Sequence, residues 1–170
     1  FLIIIIFVFS INSVSQESTS SIKTYGLLGV YFLDPYGSIN ITAERYAIKN
    51  LQDHLFLNSV RTYYLGKLSY QAANEFAAQN GCNAILEVKS AIQERIQRTT
   101  GFGTVYYVEL RLYPINKNQP EFTADGSFQS EDALSRDLAD ANALSGAILI
   151  AVKKISDKIL EYEKNVNQKN

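Results

Sequence analysis

Between Leu65 and Ile115 the spacing of apolar and polar positions changes period once, and that change separates a helix from a pair of strands. Leu65, Leu68, Ala72 and Phe76, with Ala73 and Ala77 beside them, recur at helical spacing and predict a helix over about 66–80. Gly81 follows, where a left-handed residue ends a helix and glycine has no Cβ to clash. Beyond it, Leu86, Val88, Ile92 and Ile96 alternate with Glu87, Lys89, Gln93 and Arg95. Period two predicts a strand over about 83–97 with one buried face. Arg98 to Gly103 turns the chain, and a return strand over about 103–115 repeats the alternation. Tyr106, Val108, Leu110 and Leu112 point inward on it, while Tyr107, Glu109, Arg111 and Tyr113 point outward.

The flanking segments are read the same way. Ile22 to Leu33 is a nearly continuous apolar run, as in a strand covered on both faces, and Gly26 and Gly29 mark a bulge or a closely approaching backbone. Asp34-Pro35-Tyr36-Gly37 has turn chemistry. Thr42 is placed to cap a helix over about 43–56, with Glu44 in its first turn and Ala47, Leu51 and Leu55 on one stripe. Val60 to Tyr64 fits either a short strand or a loop. Ile115 to Phe128 reads as irregular, with Pro120 and Asp125-Gly126 as turn marks and a weak strand signal at Glu121 to Thr123. Ser130 is placed to cap the longest periodic stretch, Leu134 to Tyr162. That stretch predicts a helix over about 130–164, continuous or broken near Ser145-Gly146. The order strand, helix, helix, hairpin, helix predicts one α+β domain over 22–163: a mainly antiparallel sheet with the helices packed on one face. Residues 16–21 form a polar lead-in to it and 164–170 a polar tail.

Composition narrows the class. The chain has 170 residues, 46% hydrophobic and 19% charged, which is the profile of a globular domain. Its net charge of -1, with Lys and Arg scattered, gives no footprint for a nucleic-acid backbone. Phe1 to Ile11 is apolar except for Ser10, and polar and small residues follow. The run is too short to span about 30 Å of hydrocarbon, and it has the length of the apolar part of an export signal, with Ser13 and Ser15 where cleavage needs small residues. The sequence opens on Phe without the basic segment that precedes such a run, so that segment is expected upstream. The rival is an uncleaved N-terminal anchor, the one route to a membrane. The expected product is exported, periplasmic or secreted. Cys82 is the single cysteine, so no intramolecular disulfide is expected, nor a lipid-bearing cysteine beside the apolar run.

Candidate chemistry is sparse. A metal centre needs several converging ligands, and the chain has one His and one Cys with no C-x-x-C or H-x-x-x-H spacing. His54 is expected to be solvated near a helix end, and Cys82 to pack as a small hydrophobe. Gly101-Phe102-Gly103 lies between strands and not before a helix N-terminus, so it is expected to turn the hairpin and not to cradle phosphate. No G-x-S-x-G is present, and Glu131-Asp132 and Asp137-Asp140 are expected on a solvated helix face. No cofactor is expected. What stands out is the outward hairpin face, where Tyr107 and Tyr113 are interleaved with Glu109, Arg111, Lys89 and Arg95. Tyrosine contributes contact area with little entropy loss, so this face is the candidate interaction surface. The plainer alternative is that tyrosine simply favours strands.

Ala72 to Val88, an alanine-rich helix, a glycine, then Asn83-Ala84-Ile85 entering a strand, resembles a passage of the YbjQ-type heavy-metal-binding domain family and of RcsF-type exported envelope sensors. The likeness spans about Leu65 to Leu112, with Cys82 where those families favour Ala. It implies an α+β fold, and ring oligomers occur among such domains. The family's metal binding has no ligand set here to carry it. The expected function is a non-enzymatic binding or assembly domain of the cell envelope, whose partner is a protein or envelope component, a second copy of itself included. A small-ligand or metal-binding module is the alternative, and an enzyme the third.

Overall fold

The computed structural model describes residues 26–34, 37–57 and 60–167. The expected export signal and lead-in lie outside them. In chain order the elements are β1 Leu27–Leu33, α1 Ile41–Leu57, β2 Arg61–Lys67, α2 Tyr70–Gln79, β3 Ala84–Arg98, β4 Gly101–Pro114, β5 Phe122–Gln129 and α3 Arg136–Asn167. The strands form one sheet in the order β2-β1-β3-β4-β5. β1 pairs in parallel with both β2 and β3, whereas β3–β4 and β4–β5 are antiparallel. The fold is α+β as expected, with a mixed sheet in place of a mainly antiparallel one. Val60 to Tyr64, which pattern leaves open, supplies the strand that makes the difference.

The helices do not share one face. Leu28, Val30 and Phe32 of β1 join Leu86, Val88, Val108 and Leu110 in a core under α1 and α3, to which α1 gives Ala43, Ala47, Leu51 and Leu55. On the other side Tyr31, Ile85 and Tyr113 pack with Ala73, Ala77 and Cys82 under α2. Crossovers between parallel strands keep a right hand. The chain steps from β1 out to β2 through α1, then back across β1 to β3 through α2, so a constant hand requires α1 and α2 on opposite faces. β1 is therefore covered twice, which is why it reads as an unbroken apolar run. Gly29 is where α2 comes nearest: a Cβ there would lie 2.9 Å from Leu65 and 3.0 Å from Ala77.

Local chemistry shifts several ends. Asn40, not Thr42, caps α1, its Oδ1 accepting the Ala43 N–H at 2.8 Å. Leu65 and Lys67 belong to β2, and α2 starts after Ser69, whose Oγ accepts the Ala72 N–H. Ser130 is buried and accepts the Thr104 N–H at 3.0 Å, so it ties down β4, and Ser135 caps α3 by accepting the Leu138 N–H at 3.2 Å. β3 continues to Arg98 and β4 begins at Gly101, so the hairpin turns at Thr99-Thr100.

The segment read as irregular holds a complete strand, β5, in which Asp125-Gly126 is not a turn. Gly126 lies beneath α3, where a Cβ would stand 2.2 Å from the Ala147 carbonyl oxygen. Gly146 does not break α3 but accepts the Phe128 ring, 2.5 Å from where its Cβ would be. The helix runs on to Asn167, into the predicted tail. Among the described residues no helix is long and apolar enough to cross a membrane.

Gly126→Ala is expected to destabilise the fold by about 1–3 kcal/mol through overpacking. A urea unfolding midpoint unchanged by the substitution would show that α3 does not lie this close to β5.

Candidate interaction surface

β4 alternates as its sequence predicts, sending Tyr107, Glu109 and Arg111 to the face opposite α1 and α3, all half-buried. Lys89 joins them from β3, directly across from Glu109. α2 reaches over β1, β2 and β3 and the Tyr113 end of β4, and among the described residues no helix lies over the rest of β4 or over β5 on this side. Four of the six expected residues, Tyr107, Glu109, Arg111 and Lys89, are thus brought together.

The other two are not. Arg95 is moved by a bulge: pairing passes from Ile92↔Tyr106 to Glu94↔Val105, so the extra residue inverts the faces beyond it. Arg95 then points to the α3 side, 3.2 Å from the buried carboxylate of Asp140. Asp140 also accepts from the Thr104 hydroxyl at 2.6 Å and from Asn40 Nδ2 at 3.3 Å, which locks α3 to β4 and to the start of α1. It is a structural carboxylate and not a solvated one. Tyr113 is only 6% exposed, since α2 covers the end of β4, and its ring lies 4.9 Å from that of Tyr70 at a tilt of 54°.

The structure adds a residue that alternation assigns to solvent. Glu87 is 3% exposed, because the strand beside it is β1 and α2 lies above. It accepts a hydrogen bond from the Tyr31 hydroxyl. Its other oxygen, Oε1, lies 3.4 Å from Arg111 Nη1 without a hydrogen bond from the described residues. Arg111 spends its Nε and Nη2 on Glu109, at 2.8 and 3.1 Å. The Glu109 carboxylate, despite partial burial, raises the guanidinium further above its ordinary range, with smaller support from Tyr113 and Glu87. One arginine therefore serves two carboxylates, one buried and one at the surface. Burial, then the Glu87 contact, pushes the Tyr31 hydroxyl well above the usual tyrosine range.

Cys82 packs in the core under α2, and burial raises its thiol, which disfavours the nucleophilic thiolate. His54 stands half-buried in the last turn of α1. Among the described residues no group of three or more His, Cys, Asp or Glu converges as a metal site. At the C-terminal end of β1 Asp34 folds its own loop, accepting from the Ser38 and Ile39 N–H groups at 2.9 and 2.8 Å. Lys67 is held there by the Ile39 carbonyl at 2.9 Å and by Glu44 at 3.4 Å.

No protein-family model and no curated protein matches the chain. Among solved structures it is similar to the PelC dodecamer from Paraburkholderia phytofirmans, at 12% identity and a TM-score of 0.50, over 71% of this chain and 83% of that one. It is also similar to a lipoprotein from Neisseria meningitidis, at 13% identity and a TM-score of 0.45, over 77% of this chain and 97% of that one. The PelC likeness is one of fold, and it is the α+β fold described above. The resemblance of Ala72 to Val88 to the YbjQ-type family has no matching family model beside it.

Arg111→Met should destabilise the protein by about 3 kcal/mol, because it strands the Glu87 carboxylate in the interior. Adding Glu87→Gln should recover part of that loss, and Lys89→Ala should cost no more than about 0.5 kcal/mol. Chemical denaturation of the four proteins gives the comparison, and an Arg111→Met protein as stable as Lys89→Ala would refute the buried pair. Burial also raises Tyr64 and Tyr106, as it does Tyr31. A raised folded value means that stability is complete below the unfolded tyrosine value of about 10 and falls as pH climbs above it. In an alkaline titration these tyrosines should form tyrosinate only together with the loss of far-ultraviolet ellipticity. Tyrosinate absorbance reaching its full amplitude before any loss of ellipticity would contradict their burial.

Proposed function

We propose that this chain is an exported, non-enzymatic binding or assembly domain of the cell envelope, acting through the outer face of β4 and its neighbours. The observation that carries this is the bare half of the sheet. Two helices cover the centre of one face, yet among the described residues the third leaves β5 and all but the end of β4 uncovered around Tyr107, Glu109, Arg111 and Lys89. Half-buried tyrosine beside paired charges has the composition of an interface rim and core side by side. The Arg111–Glu109 clamp holds those side chains in place before a partner arrives, which lowers the ordering cost of binding.

Two further points favour an envelope setting. The apolar N-terminal run has the dimensions of an export signal. The fold is that of a PelC chain described as a dodecamer, so the architecture is compatible with assembly. The YbjQ- and RcsF-type resemblance agrees with this setting and brings no ligand set of its own.

Tyr107→Ala combined with Lys89→Ala should leave the melting curve within about two degrees of the parent while weakening self-association, or binding to an isolated envelope fraction, at least tenfold. Light scattering and co-sedimentation read the two. If both properties survive the double substitution, the face is not the interface. Tyr113→Ala serves as the contrast, since it empties the packing beneath α2 and should lower stability by about 3 kcal/mol.

A further inference from the structure

Among the described residues neither edge of the sheet, β2 or β5, pairs with a further strand, and the two edges differ. Just past β5, Ser130 N–H donates to the Thr104 carbonyl at 2.9 Å, and within β5 Phe128 pairs with Tyr106. Even residues therefore bond to β4, and the N–H and C=O groups of Asp125, Ser127 and Gln129 point away from the sheet. α3 closes only the start of this edge, where Lys158 donates to the outward Thr123 carbonyl at 2.6 Å and Lys154 lies 3.4 Å from Asp125. On β2, Arg61 N–H donates to the Gly26 carbonyl at 3.1 Å, so the N–H of Thr62 and of Tyr64 turns outward, as far as the bulge before Gly66.

The edges also differ in charge once internal pairs are set aside: Lys67 is held by Asp34 and Glu44, Asp125 by Lys154 and Asp132 by Arg98, which leaves Arg61 on β2 and Glu131 just past β5 as the contrasting charges. β2 holds Arg61 and Lys67 and no acid. The chain from Glu121 to Ser135 holds Glu121, Asp125, Glu131 and Asp132 and no Lys or Arg. Apolar surface flanks each edge: Phe76 and Tyr63, 53% and 46% exposed, beside β2, and Phe128 and Ile150, 39% and 37% exposed, beside β5. The place of Phe76 follows from α2 itself. Tyr70 and Asn74 reach towards the loop after β4, bonding to the Lys117 carbonyl and the Asn116 side chain. Phe76 lies about 160° round the helix from Asn74, hence on the β2 side. Tyr64 packs on Phe32 below α1, so Tyr63 faces the α2 side by alternation.

We infer that the partner of this domain is a second copy of the chain, joined head to tail, with the β5 edge of one copy pairing with the β2 edge of the next. β5 and β2 run in the same direction within one sheet, so the junction is a parallel pair. Joining like edges would set the acidic segment against itself, or Arg61 against Arg61, and like charges across a pair repel. The head-to-tail step also carries the incoming α2, with Phe76 and Tyr63, over the bare face around Tyr107 and Ser127. The inference rests on the binding role proposed for that face and names its occupant. A heterologous contact of this kind repeats into a ring or a filament and does not stop at a dimer.

Proline can close each edge separately, because Thr62→Pro and Ser127→Pro each remove an outward N–H and no backbone bond inside the sheet, Ser127→Pro losing in addition only the exposed hydroxyl bond to Gln93 at 3.2 Å. By light scattering the parent should exceed a dimer, and each proline variant alone should be a monomer with unchanged far-ultraviolet ellipticity. Mixed in equal amounts, the two variants should form a one-to-one dimer and go no further, since only one usable junction remains. Arg61→Glu, which leaves the backbone untouched, should weaken assembly at least tenfold, and so should high salt. A parent that stays monomeric at every concentration overturns the inference. So does a mixture that fails to dimerise, or assembly abolished by Tyr107→Ala and kept by both prolines. If the parent is monomeric yet binds envelope material through Tyr107, the edge pairing alone has failed. Loss of neither property on changing Tyr107 and Lys89 would instead remove the role of the face.

Discussion

The handedness of two successive crossovers governs this molecule. β1 is entered first and ends up inside the sheet because the chain moves outward to β2 and then returns across β1 to β3. A constant right hand assigns α1 to one face and α2 to the other. The hairpin and β5 then extend the sheet away from β2, beyond the reach of α2, while the long α3 covers the first face. The consequence is a sheet whose centre is covered by two helices on one side and by one short helix over half its strands on the other. Each later feature, from the double burial of β1 to the bare surface of β4, follows from that asymmetry.

Burial of charge follows the same geometry. Glu87 would be a solvated strand residue in a two-layer domain, yet α2 and β1 enclose it, and its cost is limited by Tyr31 and by the Arg111 guanidinium. Arg111 reaches Glu109 as well, so the edge of the α2-covered core and the start of the open surface are joined through one side chain. Asp140 does the corresponding work on the other face by tying β4 to α3 and to the cap of α1. Both carboxylates are buried and act by tying neighbouring elements together.

Much of this was legible in the residues, for definite reasons. Period two located both hairpin strands, because each has one face in the main core, and it chose correctly the inward row Tyr106, Val108, Leu110 and Leu112. Helical spacing located α1 closely, but it started α2 at 66 where the helix begins at Tyr70 and α3 at 130 where it begins at Arg136. It failed at Leu65, since a single apolar side chain facing α2 from a strand fits a helical stripe by coincidence. Asp125-Gly126 misled in the opposite sense. The pair has turn composition, but the glycine is there so that a helix can rest on a strand, a packing requirement with no local signature.

The sequence by itself determined the α+β class, the inward face of the hairpin, the absence of any recognised catalytic motif and the cluster Tyr107, Glu109, Arg111 and Lys89. These depend on neighbours a few residues apart or on one strand's alternation. The tertiary structure alone decided the parallel pairing of β1, the burial of Glu87 and Tyr113, and the removal of Arg95 to the far face. The first two depend on which side a crossover helix must take, and the third on one bulged residue that reverses every side chain beyond it.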